Sequence, residues 1–269
     1  MRVHIAAACG FCYGVRRAVE LAAQAEAGTH TLGPIIHNPQ LVDSLSEKGV
    51  TPVNSLEEVA DGSRLLIRSH GVGPDVYDEA EKRRLHIVDA TCPHVKKAQQ
   101  DARKVINAKK VLVIIGEKDH PEVISISQWG GNRAIIIDKV EEAEEIPYCE
   151  TMGVVVQTTF SQSRFKQIES VLARKTGHLD VYMTICAATR QRQEAAVELA
   201  GKVDAMIVIG GRNSANTGRL AQVCAEQGCP TYHVETAAEI NPDDFAGMHD
   251  IGVTAGASTP DWIIQEVVK

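Results

Sequence analysis

The chain has 269 residues, 44% of them hydrophobic, and a formal net charge of −7, which is length enough for one large or two to three small domains with a sizeable core. The acidic balance, with no long Lys/Arg stripe to offset it, excludes broad nucleic-acid or membrane-surface binding, and no window approaches the roughly 18 uninterrupted apolar residues of a membrane span. Seven cysteines, odd in number and scattered, do not read as the paired framework of a small secreted domain, so they are expected as reduced thiols or metal ligands in a cytoplasmic protein.

The start, Met1-Arg-Val-His-Ile-Ala-Ala-Ala, is too short for a signal peptide and reads as a strand. Cys12 then precedes a helix-like stretch from Val15 that ends near Gly28. After the polar loop Ile36-His37-Asn38-Pro39 comes the apolar run Leu65-Leu-Ile-Arg and a second loop, Ser69-His70-Gly71. Cys92 stands before Pro93, which suits a first helical position, and before the helical pattern Val95-Lys-Lys-Ala-Gln-Gln-Asp-Ala. Val111-Leu-Val-Ile-Ile leads to His120-Pro121-Glu122, and Val154-Val-Val leads to Gln157-Thr158-Thr159. Cys186 precedes a helix expected over Arg190 to Ala200, closed by Gly201. Ala205-Met-Ile-Val-Ile leads to Asn213-Ser214-Ala215-Asn216, and Ile251-Gly-Val-Thr to Ala257-Ser258-Thr259.

Short β-branched runs alternating with helical stretches predict an α/β fold with mostly parallel, buried strands. The cysteines Cys12, Cys92 and Cys186 are 80 and 94 residues apart, and each third supplies two polar loops. That period predicts three similar α/β units: residues 13–93, 94–182 and 183–269, with strand 1–12 completing the third. Ligands in such sheets bind beyond the carboxyl ends of the strands, where these loops lie.

All three cysteines are expected at helix N-termini, where free N–H groups and the partial positive charge stabilise a thiolate and an anionic cluster attached to it. Three thiolates on a cubane cluster leave one iron open, which suits catalysis better than electron carriage. Spacing alone is equally compatible with seven cysteines acting as small buried hydrophobes; the repeated helix-start context favours a metal site. Cys9 with Cys12 forms an isolated C-x-x-C, and Cys149, Cys224 and Cys229 read as structural. His37, His70, His120, Ser214, Asn216 and Ser258 together offer donors for a phosphate or diphosphate without a P-loop, and no nucleotide motif occurs. Glu122 is the one carboxylate in this set of loops; facing an anion in a closed site, its pKa would rise and it would donate a proton at neutral pH.

The motifs Gly10-Phe-Cys-Tyr-Gly-Val, Ile36-His-Asn-Pro-Gln, Ser69-His-Gly-Val, Asp89-Ala-Thr-Cys-Pro, His120-Pro-Glu-Val, Gln157-Thr-Thr, Cys186-Ala-Ala-Thr with Arg192-Gln193, and Gly252-Val-Thr-Ala-Gly-Ala-Ser resemble, in order and over nearly the whole chain, the 4-hydroxy-3-methylbut-2-enyl diphosphate reductase (LytB) family. The resemblance implies a pseudo-threefold arrangement of the units around a [4Fe-4S] cluster held by Cys12, Cys92 and Cys186, one iron carrying no protein ligand. It implies reductive removal of the hydroxyl of an allylic diphosphate, giving isopentenyl and dimethylallyl diphosphate at the last step of the methylerythritol phosphate route.

By the same resemblance His37, His70, His120, Ser214, Asn216 and Ser258 hold the diphosphate, Thr158 contacts the substrate hydroxyl, and Glu122, with Thr158 and His120, serves catalysis. Ferredoxin or flavodoxin is the implied electron donor, and the expected state is a monomer or weak dimer. Ala215 stands in the diphosphate loop where many members carry a second serine, which removes one hydroxyl contact; Gly218 replaces a bulkier polar residue, with no functional account; and Cys9 occupies a position the family does not use as a ligand. A redox-neutral iron–sulfur dehydratase and an iron–sulfur sensor are the competing readings.

Overall fold

A computed structural model describes residues 1–269. Its strands are β1 (Arg2–Ile5), β2 (Thr29–Leu32), β3 (Val50–Val53), β4 (Arg64–Ile67), β5 (His86–Asp89), β6 (Val111–Ile115), β7 (Ile135–Ile137), β8 (Cys149–Val156), β9 (Thr176–Tyr182), β10 (Ala205–Ile209), β11 (Thr231–Val234) and β12 (Asp250–Ala255). Its α-helices are α1 (Tyr13–Ala23), α2 (Pro39–Glu47), α3 (Pro74–Lys82), α4 (Pro93–Asn107), α5 (Pro121–Trp129), α6 (Val140–Glu145), α7 (Gln162–Leu172), α8 (Ala187–Ala200), α9 (Ala215–Ala225) and α10 (Asp261–Val268). No helix is long and apolar enough to cross a membrane.

The strands form three four-stranded sheets in the orders β3-β2-β4-β5, β7-β6-β8-β9 and β11-β10-β12-β1, with every pairing parallel. The three orders are one topology. In each sheet the first strand of the series lies second, its successor pairs outside it, and the next strand crosses to its other side. β1 takes in the third sheet the place that β5 and β9 take in theirs, pairing parallel with β12. The central strands β6 and β10 are almost wholly buried, as strands covered by helices on both faces must be.

Helices come close to the sheets at glycines. A Cβ at Gly153 in β8 would lie 2.4 Å from a methyl of Val105 on α4, and one at Gly252 in β12 would meet Met206 and Leu199. By compactness the chain divides into a unit of residues Met1–Arg16, Ile36–Ser44 and Ala187–Lys269, and one of residues Arg17–Ile35 and Leu45–Cys186. The first contains the sheet with β1, the second the other two sheets.

The three helices expected after the cysteines all form, and two begin earlier than their apolar patterns suggest: α1 at Tyr13 rather than Val15, and α8 at Ala187 rather than Arg190. Each cysteine is thus the residue immediately before its helix. The closing glycines differ from expectation. Gly28 lies five residues past the end of α1, in a turn at φ +87°, and Gly201 does not adopt the left-handed conformation.

Candidate active site

In the larger unit the loops after β6 and β8 meet where the strand order of their sheet reverses, the usual place for a ligand crevice. Pro121 opens α5 because a first helical residue needs no N–H donor. His120 caps the helix, its Nδ1 accepting the Glu122 N–H at 3.1 Å. In a neutral imidazole this leaves Nε2 as the protonated, donating nitrogen.

The Glu122 side chain is 3% exposed. One carboxylate oxygen accepts the Thr158 N–H at 2.6 Å, and the other lies 2.8 Å from the Thr158 hydroxyl. Burial pushes its pKa up to about 7, with Glu117 adding to the rise and the two Thr158 hydrogen bonds opposing it. Near neutral pH this carboxyl is divided between acid and base, as proton delivery at that pH requires. Gln157 braces the loop by accepting the Glu117 N–H at 2.9 Å and donating to Thr159 at 3.1 Å. Gly116 has no room for a side chain here, since a Cβ would lie 2.8 Å from that of Gln157.

His70 and His120 meet edge to face with ring centroids 5.5 Å apart. The Cys92 N–H donates to Ser69 at 3.0 Å and the Cys186 N–H to the Thr158 carbonyl at 2.9 Å. Cys92, His70, His120, Glu122, Thr158 and Cys186 are therefore joined through one set of loops. In the smaller unit the Cys12 N–H donates to Ala257, and the Cys12 sulfur accepts the Val15 N–H at 3.5 Å. Ser214 caps α9, and Ser258 donates to the His37 carbonyl at 3.1 Å with the Ser214 hydroxyl 3.4 Å away. Both polar atoms of the Asn216 amide are buried without a protein partner, a cost that a bound polar ligand would relieve. Ala215 is the first residue of α9 and offers no hydroxyl.

Two supporting groups carried no role in the sequence reading. Arg192, from the Arg192-Gln193 motif, is buried and donates twice to the Gly10 carbonyl and once to Ala188, fixing the turn before Cys12. Asp89 accepts the Thr91 N–H and the Tyr77 hydroxyl and pairs with Lys96, while Arg17 donates to the Asp89 and Thr91 carbonyls. This clamp shapes the turn before Cys92. An Asp two residues ahead of a threonine, just before a Cys-Pro helix start, is the sequence signal of such an Asx turn.

None of the seven cysteines is in a disulfide. Cys12, Cys92 and Cys186 are half-buried, whereas Cys224 and Cys229 are buried. Burial pushes the Cys9 thiol up to about 11 and the Cys224 thiol to about 12.

Three parallel α/β modules, half-buried thiols at helix starts and a buried glutamic acid among strand-end loops are the features of an α/β enzyme. The chain belongs to the LytB family, whose model matches residues 3–269. It is 48% identical over 271 residues to the 4-hydroxy-3-methylbut-2-enyl diphosphate reductase of Pelobacter propionicus, covering 100% of this chain and 96% of that protein. It is 44% identical over 276 residues to the enzyme of the same name from Caldanaerobacter subterraneus, with the same coverage.

Among solved structures it resembles the E-1-hydroxy-2-methyl-but-2-enyl-4-diphosphate reductase of Plasmodium falciparum, with TM-score 0.94 and 27% identity over 99% of this chain and 86% of that one. It also resembles an (E)-4-hydroxy-3-methyl-but-2-enyl diphosphate reductase described as the terminal enzyme of the non-mevalonate pathway, with TM-score 0.71 and 41% identity over 100% and 98%. The family implies an iron–sulfur cluster and a diphosphate substrate, and three half-buried cysteines outside any disulfide, each just before a helix, are a donor set of the right chemistry.

Proposed function

We propose that the chain reduces (E)-4-hydroxy-3-methylbut-2-enyl diphosphate to isopentenyl and dimethylallyl diphosphate, the final step of the methylerythritol phosphate pathway. Two electrons and two protons enter and the hydroxyl leaves as water. Cys12, Cys92 and Cys186 would hold a [4Fe-4S] cluster with one iron free of protein ligands, which supplies electrons one at a time and a Lewis acid.

The protein's own part is to bind, orient and move protons. Donors from His37, His70, His120, Ser214, Asn216 and Ser258 would hydrogen-bond the diphosphate and hold the reacting carbons in place. Thr158, whose hydroxyl points at the Glu122 carboxyl, would contact the substrate hydroxyl and relay a proton to it. The observation that carries this reading is the buried Glu122 carboxyl 2.8 Å from the Thr158 hydroxyl, an acid whose burial pushes its pKa up to about 7, within reach of the group that would touch the substrate.

The repeat limits remain those of the sequence: 13–93, 94–182, and 183–269 with 1–12. The reading also takes reduced ferredoxin or flavodoxin as donor to a cytoplasmic monomer or weak dimer. Anaerobic turnover of the diphosphate alcohol with and without reductant tests the reaction. Both isomeric products should form only with reductant present. Turnover without reductant would instead support the redox-neutral dehydratase.

A further inference from the structure

The larger unit contains an open pocket of about 480 Å³ that adjoins the His70 and His120 loops through Gly71 and Pro121. It lies at the carboxyl ends of β2, β3 and β4, beside α3 and α5, and none of His37, His70, His120, Glu122 or Thr158 lines it. The strand order β3-β2-β4-β5 reverses between β2 and β4, so the cavity opens where a doubly wound sheet ordinarily takes a ligand. Its polar lining includes Arg68, the residue directly after β4.

Arg68 makes no side-chain hydrogen bond or ion pair. Its Nε is buried without a partner, and desolvation lowers its pKa. The Arg68 side chain packs against Gly33, where φ is +73° and a Cβ would come within 2.4 Å of Nη1. A glycine at the end of β2 thus makes the berth for this cation. The second arginine of the cavity, Arg83, is already committed to Asp61 and to the Leu56 and Val59 carbonyls. Glu57 and Glu79 stand on the lining as the only carboxylates, and neither reaches Arg68; Glu79 pairs with Lys82. Leu56, Val72, Val76 and Ile124 supply apolar walls.

Arg68 is half-buried, with its Nε shut off from water and no carboxylate beside it, and an anion with several acceptor oxygens is the natural complement of such a guanidinium. We propose that this cavity binds a small amphipathic oxyanion, a carboxylate or phosphate monoester on a short apolar body, with its head on Arg68 and its body against Leu56, Val76 and Ile124. The two lining carboxylates disfavour more highly charged heads such as a diphosphate, which separates this cavity from the substrate site. Its floor includes Ser125, whose hydroxyl lies 2.9 Å from both the His70 and the Glu122 carbonyls, so an occupant would press on the link between two residues assigned to the reaction.

The test is anaerobic calorimetry of n-butyl phosphate binding to the oxidised holoenzyme, with the diphosphate alcohol present in excess so that the substrate site is filled and no turnover occurs. One equivalent should bind. Arg68→Met, which keeps the stem and removes the charge, should weaken binding at least tenfold, and Glu57→Gln should tighten it. Without ligand, Arg68→Met should be at least as resistant to urea as the parent, because the Arg68 charge makes no hydrogen bond or ion pair within the fold. Absent binding, equal binding by Arg68→Met, or a marked loss of urea resistance in that variant would each overturn the proposal. Because the comparison is between two forms of the same holoenzyme, its outcome does not depend on which reaction the substrate site performs.

Discussion

Replacing Glu122 with Gln isolates the cost of burying its carboxylate. Gln keeps the shape, can accept the Thr158 N–H, and can donate to the Thr158 hydroxyl in place of accepting from it. It removes only the charge and the titration. The native pKa lies at about 7 against an ordinary 4.5, and at about 1.4 kcal/mol per pH unit the ionised form is disfavoured by about 3 kcal/mol in the folded protein.

The sign follows from linkage. A carboxyl whose folded pKa is raised binds its proton more tightly in the native state, so its contribution is fully present below about pH 4.5 and is lost as pH rises through about 7. Glu122→Gln should therefore match the parent in urea unfolding near pH 5 and exceed it by up to about 3 kcal/mol near pH 9. Over the same range kcat should fall by a factor of about a hundred or more with KM nearly unchanged, since the variant binds but cannot deliver the proton. In the parent, kcat should decline above about pH 7 as the acid form disappears. Equal stability differences at pH 5 and pH 9 would refute the raised pKa, and normal turnover of the variant would remove Glu122 from proton delivery.

Three further outcomes are expected. Cys9→Ala should retain the iron and sulfide content of the parent, because burial keeps that thiol protonated with a pKa of about 11, whereas Cys92→Ala should lose both; iron and acid-labile sulfide analysis decides. Ala215→Ser adds a hydroxyl at the first residue of α9, beside the Ser214 cap, and a hydrogen bond to a charged group, worth about 1.5–3 kcal/mol, should lower the steady-state KM for the diphosphate about tenfold or more. Gly153→Ala forces a methyl to within 2.4 Å of Val105, an overpacking that should cost about 1–3 kcal/mol in urea unfolding.

Much of the architecture was legible along the chain because it is written in local patterns. The apolar runs at 111–115 and 205–209 became the buried strands β6 and β10, and Pro93 after Cys92 marked a helix start that α4 adopts. The capping at Ser214 and His120 is likewise a property of a few neighbouring residues. The starts of α1 and α8 were less clear, since Tyr13-Gly14 and Ala187-Ala188 carry no strong apolar period. Helix formation there is decided by the turns that Ala257 and Thr158 hold against Cys12 and Cys186.

Sequence alone placed Cys12, Cys92 and Cys186 at helix starts and gathered the histidines, serines and Glu122 into strand-end loops. These assignments rest on periodicity, proline and short motifs, which act within a few residues. The acidity of Glu122 was beyond it: the Thr158 contacts come from 36 residues away, and burial is a property of everything packed around the carboxyl. The same holds for the clamp of Arg17 on the Cys92 turn and for the unpaired Arg68 on Gly33. Charge, solvent and hydrogen-bond partners act through space, so only the tertiary structure could decide which of these polar side chains are satisfied, which are poised to exchange a proton, and which still await a partner.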